Sequence, residues 1–221
     1  MAQTPHKSVV RNKQRMYAVS IAKLWLGKST MPKQAKTFTE QELRKVLDYI
    51  ATRPHALRNR VMLLMTHYAG LRVGEVASLR YSDVVDSSGE IRDEILLQAE
   101  QTKGSHARVV FINAKLKREI NSYISQYPST KPTAKLFYSQ KREEEGFTPN
   151  TLTQHFHYLY KRAGMVGASS HSGRRTFITN LAAKGVGVRV LMSLAGHRNI
   201  GTTQAYIDVN DDMKRRAVEL V

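Results

Sequence analysis

The chain has 221 residues, which is enough for one well-packed core or for a compact domain with a small appendage, but not for two large domains. Its 35 Lys and Arg residues outnumber 18 Asp and Glu residues and give a formal net charge of +17, so a polyanion, and above all nucleic acid, is the favoured partner. The absence of cysteine excludes disulfides and Cys-ligated metals, and no apolar segment has the length of a membrane span or the pattern of a signal peptide.

Residues 1–36 are strongly basic and contain no Asp or Glu. We predict an N-terminal arm and linker here, with one short amphipathic helix that places Tyr17, Ile21, Leu24 and Trp25 on a common side. Two interpretations stay open for the arm. It is either an unstructured leader or a strap that binds the DNA backbone by counterion release without reading sequence.

Residues 37–221 are predicted to form one mainly helical domain with a small antiparallel β-sheet, an α+β fold. Thr39 and Glu42 have the spacing of a capping box, which predicts a helix that starts there and ends near Pro54. The helix predicted for residues 55–68 is apolar enough to be the central buried one.

Gly70 is predicted to end the central helix, and Arg72 then opens a short helix in which Glu75 follows one turn later. An arginine placed just after a glycine break can point into a groove, where Glu75 can orient it. The alternative is an exposed Arg72–Glu75 ion pair of little energetic weight.

Two strands are predicted over residues 94–98 and 107–112, and the polar segment between them carries Lys103-Gly104. The pattern indicates a β-hairpin with a lysine near its tip. A loop lysine is usually only solvated, so the hairpin alone assigns no function to Lys103.

Further along, a helix is predicted over residues 113–127, and residues 136–138 are a candidate for a short buried strand. Thr148-Pro149 predicts another helix start, because proline is favoured at the first helical position.

The segment from His171 to Tyr206 holds the densest group of reactive side chains. On a helix His171 and Arg174 share one face, and Arg174 offers a planar fork of donors suited to phosphate. Lys184-Gly185 is predicted to end this helix.

The next predicted helix ends near Gly196, which leaves His197 just beyond a helix terminus, where its side chain can face a cleft. Thr202 or Thr203 is expected to cap a final helical segment that leads to Tyr206. The expected core contacts of the helix before Gly196 are Val188, Val190, Leu191 and Leu194.

The order His-x-x-Arg, Leu-x-Gly-His and Tyr closely resembles the second conserved box of the tyrosine recombinases, the phage integrase family. Upstream, AGLRVGE at residues 69–75 is similar to the first arginine box of that family, and Thr102-Lys103-Gly104 is similar to its catalytic hairpin lysine. The matches extend over residues 37–210, and their order and spacing make the resemblance specific. It implies the catalytic-domain fold of this family.

The resemblance implies a site-specific DNA recombinase that cleaves and rejoins strands through a 3′-phosphotyrosine intermediate. On a DNA phosphodiester, Tyr206 would be the nucleophile, and Arg72 and Arg174 would clamp the nonbridging oxygens. His171 would take the phenolic proton. Lys103 would then protonate the leaving 5′ oxygen.

In the same scheme His197 donates a hydrogen bond to the phosphate, and Glu75 supports Arg72. Two permanent cations make a metal unnecessary, so we expect no metal and no other cofactor. His155 and His157 lie on different faces of their predicted helix, which argues against a metal site there.

Double-stranded DNA is the expected partner. In the family the stretch equivalent to residues 148–164 approaches the major groove, so the candidate DNA contacts are Asn150, Thr153, Gln154 and Lys161, together with Arg175 after the second box. The resemblance also implies a homo-oligomer, a tetramer on two DNA sites, in the cytoplasm of a bacterium or archaeon or encoded by a phage, at the nucleoid.

Residues 207–221 are predicted to form a tail helix, which either packs on its own domain or docks on a neighbouring protomer. Typical family members carry a core-binding domain before the catalytic domain, whereas only residues 1–36 precede the capping box here. The chain is then either one of the short recombinases of the family or a protein that has lost half its grip on DNA, and strand exchange is expected to depend on the basic arm, a host DNA-bending protein or a longer partner.

Two other functions remain open at the level of sequence. A type IB topoisomerase uses much the same residues to relax one strand without exchanging partners. A catalytically silent DNA-binding protein of the same fold is the second alternative, although every expected catalytic position holds a competent residue.

Overall fold

A computed structural model of the protein describes residues 34–129, 131–139, 145–207 and 211–219. The arm predicted for residues 1–36 therefore lies outside the described residues except for its last three positions. Residues 35–221 form one compact unit. No helix in the described ranges combines the length and the hydrophobicity needed to cross a membrane.

The described part of the chain is mostly helical with one two-stranded antiparallel sheet, which confirms the predicted fold class. In chain order its elements are α1 (Glu40–Ala51), α2 (Ala56–Tyr68), α3 (Val73–Ser78), α4 (Tyr81–Val84), β1 (Glu94–Leu97), a 3₁₀ turn (Ala99–Gln101), β2 (Arg108–Phe111), α5 (Ala114–Gln126), α6 (Pro149–Arg162), α7 (Ser172–Ala183), α8 (Val188–Ala195), α9 (Ile200–Gln204) and α10 (Asp211–Val218).

Helix α2 lies at the centre of the fold and packs against α1, α5 and α7. Residues 61–65 at its middle have almost no exposed surface, so all sides of this turn are covered by other elements. The two termini of the helix lie about 20 Å apart at 1.5 Å per residue. Its C-terminal end leads directly into Arg72.

The predicted hairpin is present, with Glu94 paired with Phe111 at one end and Leu97 with Arg108 at the other. The side chains alternate between faces, so Ile95, Leu97 and Val110 reach the core. Arg108 belongs to the same inward face as Val110, and this orientation brings a charged side chain towards the interior.

Three local predictions differ from the structure. Residues 136–138 are not a strand, although Leu136 and Phe137 are buried; the preceding Lys135 makes an isolated bridge to Arg80. Val190, which was predicted to contact the core, is 54% exposed. Helix α8 turns Leu191 and Ala195 to the core, and Val190 lies about 100° around the helix from Leu191.

Asn199, and not Thr202 or Thr203, caps α9 through a hydrogen bond from the Gly201 N–H to its side chain, at 2.7 Å. The capping box of Thr39 and Glu42 and the Thr148-Pro149 helix start are both as predicted.

Helices α2 and α7 approach so closely that only glycine fits at position 173. A Cβ atom there would lie 2.0 Å from Thr66 Oγ1 and 2.9 Å from Thr66 Cβ. We expect Gly173→Ala to lower the free energy of unfolding by about 1–3 kcal/mol through overpacking, measured by urea denaturation. Gly74→Ala is the matched control, because its new Cβ would meet Pro149 Cβ at an ordinary 3.7 Å. Equal stability of the two variants would contradict this account.

Candidate active site

Arg72 lies at the start of α3, immediately after the chain leaves α2. Gly70 makes this exit possible, because its φ of +65° and the Phe177 ring, 2.5 Å from where a Cβ would stand, leave room for glycine alone. The Arg72 backbone N–H donates to Glu75 Oε2 at 2.7 Å and its Nη1 to Glu75 Oε1 at 2.8 Å. Backbone and side chain of Arg72 are thus fixed by the same carboxylate.

Glu75 is 1% exposed and also binds Arg108, a residue that the sequence analysis did not single out. Arg108 Nη2 donates to Oε2 at 2.6 Å and Nε to Oε1 at 3.2 Å. Burial alone would raise the pKa of Glu75, but the hydrogen bond and charge of Arg108, followed by those of Arg72, hold that pKa below its ordinary value. Glu75 is therefore a buried, ionised bridge between two arginines.

Arg174 lies in the first turns of α7 and is 5% exposed. Its Nη1 donates to the Gly70 carbonyl at 2.6 Å, and its Nη2 donates to the Ala195 carbonyl. Burial, and next the charge of Arg72, lower the pKa of Arg174. Among the described residues no carboxylate lies within ion-pair distance of this guanidinium, so the site is short of negative charge.

The last carbonyls of α8 and its cap each accept from a different arginine. Arg108 donates to the Leu194 carbonyl at 3.0 Å, Arg174 to that of Ala195, and Arg72 to that of Gly196 at 3.1 Å. Three guanidinium groups from three distant parts of the chain therefore converge on one helix terminus.

His197 directly follows this terminus, and its Nδ1 lies 3.0 Å from Thr203 Oγ1. Its ring stacks on Tyr206 with centroids 5.7 Å apart and planes 24° apart. Arg175 Cζ lies 5.6 Å from the centre of the same tyrosine ring. Burial, followed by the charges of Arg174 and the other two arginines, lowers the pKa of His197 to about 4, so the imidazole is neutral at neutral pH.

His171 occupies the N-cap position of α7, one turn before Arg174. Although the residue is exposed overall, burial of part of its ring is the main cause that lowers its pKa, followed by the charges of Arg174, Lys103 and Arg72. Lys103 itself is exposed, in a turn that Thr102 closes by a 2.8 Å hydrogen bond from Oγ1 to the His106 carbonyl.

Direct contacts thus link Arg72, Glu75 and Arg174 to the end of α8 and His197 to Tyr206, with Arg108 and Thr203 as added members. The charges of Lys103 and Arg174 act on His171. Of the candidate DNA contacts, Asn150, Thr153, Gln154 and Lys161 are all exposed on α6, whose opposite face is buried. Arg175 lies apart from them, at the Tyr206 ring.

A cavity of about 740 Å³ lies at the other end of α2, between its N-terminus, the C-terminal end of α1 and one flank of α6. None of the predicted catalytic residues lines it. The described ranges contain no cluster of three or more His, Asp or Glu side chains arranged to hold a metal ion.

Comparison with known proteins assigns the family. A sequence model of the "Phage integrase family" matches residues 36–213. The chain belongs to the phage integrase family. This finding confirms the resemblance that the sequence boxes indicated.

Relatives in this family include the tyrosine recombinases XerA of Pyrococcus furiosus and of Thermococcus kodakarensis. They are 28% and 32% identical to this chain over 185 and 187 residues, and each match covers 83% of the chain. The matches span only 61% and 62% of the lengths of those relatives.

Among solved structures, the Tn1549 transposon integrase in complex with circular intermediate DNA superposes with a TM-score of 0.65. The match covers 98% of this chain and 80% of the solved integrase chain at 20% sequence identity, so the similarity establishes a shared fold.

The buried glutamate bridge gives a pH-dependent contribution to stability. Because the folded-state pKa of Glu75 lies below the ordinary 4.5, ionised Glu75 stabilises the fold above that pH, and the contribution is lost as the pH falls through the folded-state pKa. We expect Glu75→Gln to lower the free energy of unfolding by about 3–5 kcal/mol at neutral pH, and the difference from wild type to shrink below about pH 4.5. Urea denaturation across this pH range measures both values.

Glu94→Gln, at an exposed position of β1, is the matched control and should behave as wild type at every pH. A Glu75→Gln deficit that is the same at neutral pH and at about pH 3 would show that ionisation of Glu75 has no part in its effect.

Proposed function

We propose that this protein is a site-specific DNA recombinase that cleaves and rejoins DNA strands through a 3′-phosphotyrosine intermediate on Tyr206. The observation that carries the proposal is the convergence of Arg72 and Arg174 beside a tyrosine whose ring stacks on His197. The Xer relatives, named as tyrosine recombinases, and the Tn1549 integrase, solved with DNA, support the assignment to DNA strand exchange.

A phosphodiester supplies the negative charge that the arginine cluster lacks. Arg72 keeps 23% of its side chain exposed, so its guanidinium can meet a nonbridging oxygen while Glu75 holds it. Charge-assisted hydrogen bonds to phosphate are strongest in a desolvated site with fixed donors. The lowered pKa of Arg174 marks the same need, because an anion beside the guanidinium would raise that pKa again.

In the proposed cleavage step, the Tyr206 oxygen attacks phosphorus and the bond from phosphorus to the 5′ oxygen breaks. The phenolic proton passes to His171, whose lowered pKa favours the neutral form able to accept it. Lys103 gives a proton to the departing 5′ oxygen, which leaves as a hydroxyl. The 3′ phosphate stays on Tyr206, and attack by a 5′ hydroxyl of another strand reverses the step without an external energy source.

Double-stranded DNA is the proposed partner, with the exposed face of α6 that carries Asn150, Gln154 and Lys161 as a contact surface. Strand exchange further requires a homotetramer on two sites. Val218, 72% exposed on α10, supports a tail that docks on a neighbouring protomer. A host DNA-bending protein or a longer partner is a further proposed partner.

The decisive test traps the covalent intermediate. Duplexes that bind the protein are selected from a random pool, rebuilt with a nick next to the cleavage position, and incubated with wild type and with Tyr206→Phe. We expect a protein–DNA adduct from wild type, mapped to the peptide containing residue 206, and none from Tyr206→Phe. Tyr49→Phe, at a partly exposed tyrosine of α1, is the matched control and should trap DNA as wild type does.

An adduct formed equally by Tyr206→Phe would remove Tyr206 from its role. Relaxation of supercoiled plasmid without any recombinant product would favour the type IB topoisomerase function. Tight binding of the selected duplex with no adduct from wild type would favour the silent DNA-binding protein.

The second test concerns the phosphate clamp. Arg174→Lys keeps the positive charge but loses the planar guanidinium, whose donors reach the Gly70 and Ala195 carbonyls and, in the proposal, the phosphate. We expect single-turnover cleavage to fall by about 100- to 1,000-fold, with a much smaller change in the Kd for duplex DNA. Arg189→Lys, at an exposed position of α8, is the matched control and should leave both values near wild type. Equal loss of affinity and cleavage in Arg174→Lys would assign the residue to binding alone.

A further inference from the structure

Thr203 is a buried residue in the segment that carries the tyrosine. It has no exposed surface, and in the described part of the chain the only side-chain hydrogen bond of its hydroxyl is the 3.0 Å contact with His197 Nδ1. Its backbone carbonyl accepts from the Tyr206 N–H at 3.0 Å. One residue therefore contacts the imidazole with its side chain and the tyrosine with its backbone.

Counting protons decides the direction of the hydrogen bond between Thr203 and His197. A hydroxyl has one proton to donate, and the Thr203 hydroxyl has no acceptor other than Nδ1 among the described residues. If Nδ1 carried a proton, the threonine proton would be buried without a partner, at a cost of about 1–3 kcal/mol. The consistent arrangement has Thr203 donating to an unprotonated Nδ1, which leaves the imidazole proton on Nε2.

We propose that Thr203 is a positioning residue that locks His197 in its neutral Nε2–H tautomer and presents that N–H to the scissile phosphate. The role at the phosphate rests on the proposed function, whereas the tautomer is a property of the free protein.

The surroundings of His197 favour the same state. The charges that act on His197 are those of Arg174, Arg72 and Arg108, and all three are positive, while Glu75 is bound to Arg72 and Arg108. Burial and the arginine charges lower the pKa of His197, so the ring is a neutral hydrogen-bond donor and not another cation. A neutral donor can bind a phosphate oxygen without adding a fourth positive charge to the cluster.

The same hydrogen bond fixes where the tyrosine lies. Because α9 has only five residues, it has little stability of its own, and tertiary contacts must hold it in place. The Thr203–His197 bond and the stacking of His197 on Tyr206 join this segment to the arginine cluster. Loss of the hydroxyl should therefore disturb both the tautomer and the placement of the nucleophile.

The first experiment reads the tautomer directly. Protein labelled with ¹⁵N-histidine is measured by two-bond ¹H–¹⁵N correlation at neutral pH, and the His197 signals are assigned by their absence in His197→Gln. We expect the Nε2–H pattern in wild type and in Thr203→Ser, which keeps the hydroxyl. Thr203→Val, which keeps the shape but removes the hydroxyl, should shift His197 towards the Nδ1–H form or a mixture.

The second experiment separates positioning from packing. In single-turnover cleavage of the nicked duplex described above, we expect Thr203→Val to lower the cleavage rate by about 10- to 100-fold with unchanged DNA affinity. Thr203→Ser should recover most of the wild-type rate. In a His197→Gln background the same Thr203→Val change should have almost no further effect, because its route is through His197.

An Nδ1–H tautomer in wild type, or an unchanged Nε2–H pattern in Thr203→Val, would overturn the proposal even if that variant cleaves poorly. The tautomer of His197 in wild type is measured without any variant, so this test of the proposal does not depend on whether Thr203→Val folds. If wild type forms no adduct with DNA, the proposed function fails, while the tautomer measurement still decides whether Thr203 sets the state of His197.

Discussion

The structure depends on one arrangement, in which consecutive carbonyls at the C-terminal end of α8 each receive a hydrogen bond from a different arginine. Like charges repel, so guanidinium groups gather only where each has its own acceptors. The C-terminal end of a helix offers unpaired carbonyls and the negative end of its dipole, which favours cations by roughly 0.3–1 kcal/mol each. Helix α8 thus acts as a template that fixes Arg72, Arg108 and Arg174 together before any phosphate arrives.

Glu75 sets the net charge of this cluster. Three guanidinium groups and one buried carboxylate leave two positive charges uncompensated, because His197 is neutral. A phosphodiester carries one negative charge, and its pentavalent transition state carries two. The cluster therefore matches the charge of the transition state better than that of the ground state, which is the condition under which binding energy accelerates a reaction. A cationic His197 would add a third uncompensated charge and weaken this match.

Features that depend on neighbours in sequence, and residues that belong to the family motifs, were predictable, whereas distant contacts outside those motifs were not. The capping box at Thr39, the helix start at Pro149 and the hairpin around Lys103 all have local patterns of residues. Arg108 meets Glu75 across 33 positions of sequence, so only its place on the inward face of a strand gave any indication of its role. The carbonyl acceptors of α8 have no sequence pattern at all, since any residue supplies a backbone oxygen.

The proposed nucleophile, Tyr206, is held by weaker contacts than the arginines. Arg174 is buried and bound to two carbonyls, whereas Tyr206 is partly exposed and is held by stacking on His197, by the nearby Arg175 and by the backbone of Thr203. Contacts of these kinds contribute roughly 0.5–1.5 kcal/mol each, so moving the α9 segment costs far less than dismantling the arginine cluster. A rigid arginine cluster, the proposed phosphate site, is therefore combined with a more loosely held tyrosine, the proposed nucleophile. The Thr203 hydrogen bond joins the α9 segment to His197. In our proposal the tautomer of His197 therefore also depends on whether the tyrosine segment is in place.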